Sequence, residues 1–201
     1  SSITNTAAGT GPFIYNNNDG VVTISGNYIG GNSPLCSGTL TKTGSSNVFY
    51  GIHLAAVSAL STSTVSGNVI DNISWTNTAN SDWQSIYLQS GIATISGNRI
   101  GDTAGTSSIQ MTNATTGGTF YGINAAGAAT VQNNAIGRVD VLSSAGTIAV
   151  NFVGIACSAA STITGNCIGS QSTANSIKLN SGSTSNAQTS YGIKVTSTGV
   201  N

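Results

Sequence analysis

The sequence predicts an all-β fold: a right-handed parallel β-helix in which each repeat builds one coil of three short strands. Three observations predict it. An eight-residue block recurs five times without gaps. An alternating segment centred on an isoleucine precedes each block. Charged residues make up only 5% of the 201 positions, while Ile, Val, Thr, Gly and Asn return at fixed places in the pattern.

The block reads Thr-Ile-Ser-Gly-Asn-Tyr-Ile-Gly at 23–30, and it returns at 64–71, 94–101, 130–137 and 162–169. Its asparagines, Asn27, Asn68, Asn98, Asn134 and Asn166, are spaced 41, 30, 36 and 32 residues apart. A constant block with variable spacing predicts a fixed cross-section carrying loops of different length. Ile24, Val65, Ile95, Val131 and Ile163 are β-branched and are predicted to point inward. Gly26, Gly67, Gly97, Asn133 and Gly165 follow two residues later. Gly and Asn accept positive φ, so a bend is predicted there. Ile29, Ile70, Ile100, Ile136 and Ile168 return to the core, and Gly30, Asp71, Gly101, Gly137 and Gly169 close the block at a second bend.

The preceding segment is Phe49-Tyr-Gly-Ile-His-Leu54 in its clearest copy. Alternation places Ile52, Ile86, Ile123, Ile155 and Ile193 inside, with Leu54, Leu88, Ala125, Cys157 and Val195 on the same face. Phe13-Ile-Tyr15 is a weaker first copy. A third, looser strand is read at Ile3, Leu40, Ile109–Met111, Val139–Val141 and Ile177–Leu179. Strands this short bury an apolar face only by stacking, at about 4.8 Å per coil. A β-propeller blade needs about 40 residues and four strands, more than the 30-residue repeat offers. An α-solenoid is disfavoured by Gly, Thr and Asn. The expectation is five to six coils in one segment, 1–201, cut from a longer chain.

Blocks of the form Gly-Ile-x-Leu followed by Thr-Ile-Ser-Gly-Asn-x-Ile-Gly resemble the parallel β-helix repeats of the pectate-lyase-like superfamily, over nearly the whole chain. The resemblance implies an internal asparagine ladder at the turn, carried here by Asn27, Asn68, Asn98, Asn134 and Asn166. It also makes polysaccharide cleavage the obvious activity to consider.

The composition supplies little for that chemistry, which needs two or three carboxylates in one groove. Glu is absent, and the acids are Asp19, Asp71, Asp82, Asp102 and Asp140. Asp71, Asp102 and Arg138 fall near the same bend in successive coils and read as a solvated surface ladder or weak ion pair, with a catalytic or metal role as the alternative. His53 is the sole histidine and alternates outward, so neither a triad nor a metal set assembles. No cofactor is expected. Cys157 falls in an inward column and Cys167 in an outward one, which disfavours a bond between them without forbidding it.

Net charge is zero and the five bases are scattered, which argues against nucleic acid and against a polybasic membrane patch. No segment reaches the roughly 18 apolar residues that span a bilayer. Thr23, Thr64, Thr94, Thr130 and Thr162 form an outward hydroxyl column, with Ser25, Ser66, Ser96, Gln132 and Thr164 beside it. This array is similar to the faces of β-solenoid ice-binding proteins. Trp75, Trp83 and Tyr87 lie around a loop read at 72–82 and are candidate glycan contacts. The other variable loops are read at 31–46 and 169–189. Asn72-Ile-Ser74 and Asn113-Ala-Thr115 match the N-glycosylation pattern, and Asp102-Thr-Ala resembles a surface O-glycosylation site. The expected function is a non-catalytic, rigid structural or adhesive segment of an extracellular or cell-surface protein, from a bacterium. Its expected partners are other segments of the same chain, neighbouring copies or surface glycans. Polysaccharide binding or cleavage, and ice binding, are the alternatives.

Overall fold

A computed structural model describes residues 2–5, 11–79, 81–102, 108–114, 117–143, 149–170, 172, 174–183 and 185–197. The chain winds into a parallel β-solenoid of about five turns. Strands from successive repeats hydrogen-bond into four sheets, each entirely parallel. Sheet A contains Ser2–Asn5, Leu40–Gly44, Ile73–Asn77, Ile109–Asn113, Val139–Ser143 and Ile177–Ser181. Sheet B contains Ile14–Asn17, Phe49–Ala56, Trp83–Leu88, Gly118–Ala125, Val150–Cys157 and Ser190–Val195. Sheet C contains Thr23–Ser25, Ser63–Ser66, Ile92–Ser96, Ala128–Gln132 and Ser161–Thr164, and sheet D the short pieces Tyr28–Gly30, Val69–Asp71, Arg99–Ile100, Ala135–Ile136 and Cys167–Ile168.

The recurring block folds as the columns predict, with one refinement: it makes two strands, so a coil has four strands where three were expected. The break is the left-handed residue in the middle of the block. Gly26, Gly67, Gly97 and Gly165 have φ between +62 and +66°, and Asn133 has +54°. An added Cβ at Gly26, Gly67 or Gly97 would meet nothing within 4 Å, so the requirement there is backbone conformation and not space. That is why Asn, which tolerates left-handed backbone, stands in at 133. At the second bend the left-handed residue is not fixed. It is Gly101 and Gly169 in two coils, Asn72 and Arg138, one residue later, in two others, and both Gly30 and Gly31 in the first.

Register is gap-free through the block. Ile24, Val65, Ile95, Val131 and Ile163 are consecutive partners, as are Ile29, Ile70, Ile100, Ile136 and Ile168. Ile52, Ile86, Ile123 and Ile155 are fully buried in sheet B. In the same columns, Ile193 and Val195 are 50% and 47% exposed. Beside them runs an aromatic column, Phe49, Trp83, Phe120 and Phe152, whose ring centroids step by 3.7, 5.6 and 5.6 Å through the middle of the coil stack.

The three variable loops are interrupted. Each contains a strand of sheet A: Leu40–Gly44, Ile73–Asn77 and Ile177–Ser181. The second of these is a correction, because 72–82 was read as one continuous loop. The strand begins two residues after Asp71, leaving no spacer to mark it.

Candidate functional site

The five block asparagines sit just past the left-handed bend, where the chain turns from sheet C into sheet D. Each amide Nδ2 donates to the Oδ1 of the next asparagine: Asn27 to Asn68, Asn68 to Asn98, Asn98 to Asn134 and Asn134 to Asn166, all at 2.9 Å. The same Oδ1 also accepts the previous asparagine's backbone N–H, at 2.9–3.0 Å. The second amide hydrogen of Asn68, Asn98, Asn134 and Asn166 goes back to the carbonyls of Ile24, Val65, Ile95 and Val131. Asn68, Asn98 and Asn134 are buried. Buried amides must be satisfied, and this ladder satisfies them with no capacity left over for a ligand.

A second internal ladder lies at the corner leaving sheet A. Asn77 Nδ2 donates to Asn113 Oδ1 at 3.0 Å, and Asn113 Nδ2 donates to the carbonyls of Ser81 and Gly117. One coil earlier, continuing the sheet A register places Gly44, which has no side-chain amide, opposite Asn77, and the Asn47 backbone N–H donates to Asn77 Oδ1 at 3.1 Å. Lys42 supplies a second donor. Its ammonium donates to Asn77 Oδ1 at 2.7 Å, to the Thr76 carbonyl at 2.9 Å and to the Ser45 carbonyl, and lies 5.2 Å from the centre of the Trp75 ring. Lys42 is fully buried, and burial pushes its pKa down to about 8.

The tryptophans serve the same interior. Trp83 is fully buried and Trp75 is 6% exposed. The Trp75 indole N–H donates to the Asn47 carbonyl, and that of Trp83 to Ser85 Oγ. Neither indole therefore offers a face to a sugar. Trp83 occupies the Phe49–Phe120–Phe152 column and Trp75 lies between Lys42 and Met111. Tyr87 alone of the three points outward, beside His53 and Tyr50.

The charged column gains a member that the sequence pattern did not show. Arg99 lies between Asp71 and Asp102 at 3.3 and 3.2 Å, and Arg138 contacts Asp102 at 2.9 Å. The charges alternate, so each of these carboxylates already faces a guanidinium, and Asp71 is buried, which corrects its reading as a solvated surface residue. Asp82 is held elsewhere, at the entry to sheet B, accepting the Thr119 N–H at 2.8 Å. Among the described residues no group of three or more His, Cys, Asp or Glu side chains is placed to hold a metal ion.

On the outer face of sheet C, Thr23, Thr64, Thr94, Thr130 and Thr162 are register partners. Thr94, Thr130 and Thr162, with Ala128 and Ala160, border a shallow groove of about 360 Å³. The three cysteines are free thiols, Cys36 and Cys157 buried and Cys167 partly so; burial pushes the Cys157 thiol up.

Asn113 is fully buried with both amide hydrogens engaged, which contradicts its reading as a glycosylation acceptor. Thr115 of that pattern and Thr103 of the O-glycosylation pattern lie outside the described residues. Asn72 spends its amide on the Cys36 carbonyl at 2.8 Å.

No family model matches the chain, and no curated protein or solved structure matches it either.

Proposed function

We propose that the chain is a non-catalytic structural or adhesive segment of an extracellular or cell-surface protein, a rigid stalk or filament element. We also propose that its repeats descend from the pectate-lyase-like superfamily in a bacterial lineage. One observation carries the structural reading: every column of the recurring eight-residue block that the register aligns has a place in building the coil. The Ile columns fill the core, the Gly or Asn column bends the chain, the Asn column forms the ladder and the Thr column covers sheet C. The superfamily reading is supported by the ladder together with its left-handed bend. The surface reading is supported by a coat of Ser, Thr and Asn with 5% charge. Its partners are further coils of the same chain or neighbouring copies, stacked on the solenoid axis.

Pulling single molecules by their ends tests the mechanical role. A stalk built this way unfolds in steps of one coil, each releasing 30–41 residues, or roughly 100–140 Å of chain. Extension at low force without steps is the contrary result. Antibody labelling of intact source cells tests the location, with staining before permeabilisation as the expected outcome. Release of reducing ends from a polysaccharide would replace the structural reading with an enzymatic one.

Ice binding is the second reading. It is favoured by the gap-free threonine register on a face whose Thr and Ser columns hold no charge, and it is interrupted only by Gln132. Thermal hysteresis in solution, abolished by Thr94→Lys, is what it requires.

A further inference from the structure

Lys42 is the anomaly of the interior. The residues that follow it down the inward column of sheet A are Trp75, Met111, Val141 and Leu179, all apolar. Building the core therefore gives no reason for a lysine there. A buried ammonium is costly without a counter-charge. Among the described residues, which include every Asp, no carboxylate pairs with Lys42. Its three hydrogen-bond partners, Ser45 O, Thr76 O and Asn77 Oδ1, are neutral oxygens. The last of these sets Nζ 2.7 Å from a side-chain amide oxygen, with the amide carbon one bond beyond. Asn77 is fully buried as well. The rest of that amide is held in place. Oδ1 also accepts the Asn47 backbone N–H at 3.1 Å, and Nδ2 donates to Asn113 Oδ1 at 3.0 Å. The Trp75 ring lies over the ammonium, 5.2 Å away at its centre, and screens the pair from water.

We propose that Lys42 and Asn77 form a self-modification site, where Nζ displaces the side-chain amide nitrogen and joins neighbouring coils by an isopeptide bond. The lone pair of the neutral amine adds to Cγ. The carbonyl electrons move onto Oδ1, where the Asn47 N–H stabilises the developing charge. The carbonyl then re-forms, the Cγ–Nδ2 bond breaks, and a proton from Nζ leaves with Nδ2 as ammonia. That ammonia takes up the proton the lysine first shed. One ammonium and one primary amide thus become one secondary amide and one free ammonium ion, with no oxidant or reductant. Burial lowers the Lys42 pKa to about 8, so the neutral amine is accessible just above neutral pH. Fixed contact replaces chance encounter and raises the effective concentration far above any reached in solution. The product removes the buried charge, and escape of ammonia makes the step one-way. The bond forms after folding, because the folded register brings together residues 35 apart in the chain. A freshly folded chain keeps the free amine, its titration and its full set of unfolding steps. A linked chain loses the residues between Lys42 and Asn77 from its extension under force. The proposal goes beyond the scaffold reading and holds whether or not the chain is a stalk.

Trypsin and mass spectrometry test it, on the full chain aged in the folded state at a pH above the lysine's pKa. Trypsin cuts after lysine and arginine, which occur first at Lys42 and next at Arg99. An unlinked chain gives the separate peptides 1–42 and 43–99. A linked chain resists cleavage at Lys42 and gives 1–99 in one piece, lighter by one ammonia, with fragment ions that join Lys42 to Asn77. This peptide should accumulate with time in the folded wild type. It should be absent from wild type aged in urea and from Lys42→Met, whose side chain suits an apolar column. The peptide identifies the bond directly, so the result does not depend on the variant folding. Complete recovery of 1–42 and 43–99 from the aged, folded protein overturns the proposal. So does equal linking in urea. Equal loss of ammonia from Lys42→Met overturns it as well, because it marks an asparagine closing on its own backbone.

Discussion

Asn98 makes the account of the block asparagines measurable. Its Oδ1 accepts two bonds from Asn68, and its Nδ2 donates to Val65 O and to Asn134 Oδ1. Asn98→Ala leaves several of these groups buried without a partner, at about 1–3 kcal/mol for each one that finds no substitute. Chemical denaturation should show a loss of about 2–3 kcal/mol, against less than about 0.5 for Thr94→Ala on the surface. Equal midpoints for the two variants would contradict the ladder's role. Lys42 makes a different prediction, because its native pKa is about 8 and its unfolded value is about 10.4. Between those values the unfolded chain holds the proton and the native one does not, so stability rises with pH across that window. Below pH 8 both states are protonated and the cost of burying the charge is fully present. Burial raises the phenols of Tyr50 and Tyr121, which act oppositely above about pH 10, where the unfolded chain ionises first. The rise from pH 8 toward about 10 should therefore be present in the wild type and missing in Lys42→Met.

At the scale of elements, the left-handed bend decides where sheet C ends and sheet D begins. Gly97→Asn should cost little, because Asn133 already occupies the equivalent position at φ +54°. Gly97→Val should cost about 1–2 kcal/mol or more, since a β-branched residue is strained there even with open space around its Cβ. Thermal melting of the pair checks this ordering, and equal losses would show that the bend is not the constraint. The same elements show what the sequence could and could not reveal. Sheets C and D were legible because block columns repeat without gaps and physical roles are fixed by position. Sheet A was only half legible. Ile73 and Val139 begin two residues after the block, whereas Leu40, Ile109 and Ile177 begin eight to ten residues after it. That variable spacing hid Ile73–Asn77 and, with it, the second ladder, whose corner changes from Asn77 and Asn113 to Ser143 and Ser181. It also left Trp75 in a presumed loop. Trp83 is hidden for a simpler reason: a tryptophan stands where three other coils have phenylalanine, one residue before the recognisable Gln84–Leu88 segment.

The whole molecule is close to one-dimensional, since each coil contacts only its neighbours. Stability should therefore vary along the axis with how well a coil is covered on both sides. Amides of Trp83–Leu88 and Gly118–Ala125, whose inward residues are fully buried, should exchange slowest, and those of Ser190–Val195, where Ile193 is 50% exposed, fastest. Uniform protection would contradict the stacking picture. The most direct measurement is a set of distances along the stack. Spin labels are placed on Thr23 and, in turn, on Thr94, Thr130 and Thr162, with Cys36, Cys157 and Cys167 replaced by alanine, and read by pulsed electron resonance. Two, three and four coil steps predict backbone separations of about 10, 14 and 19 Å, rising by one strand spacing per repeat. Distances that do not grow linearly with repeat number, as when repeats are arranged around a ring, would contradict it.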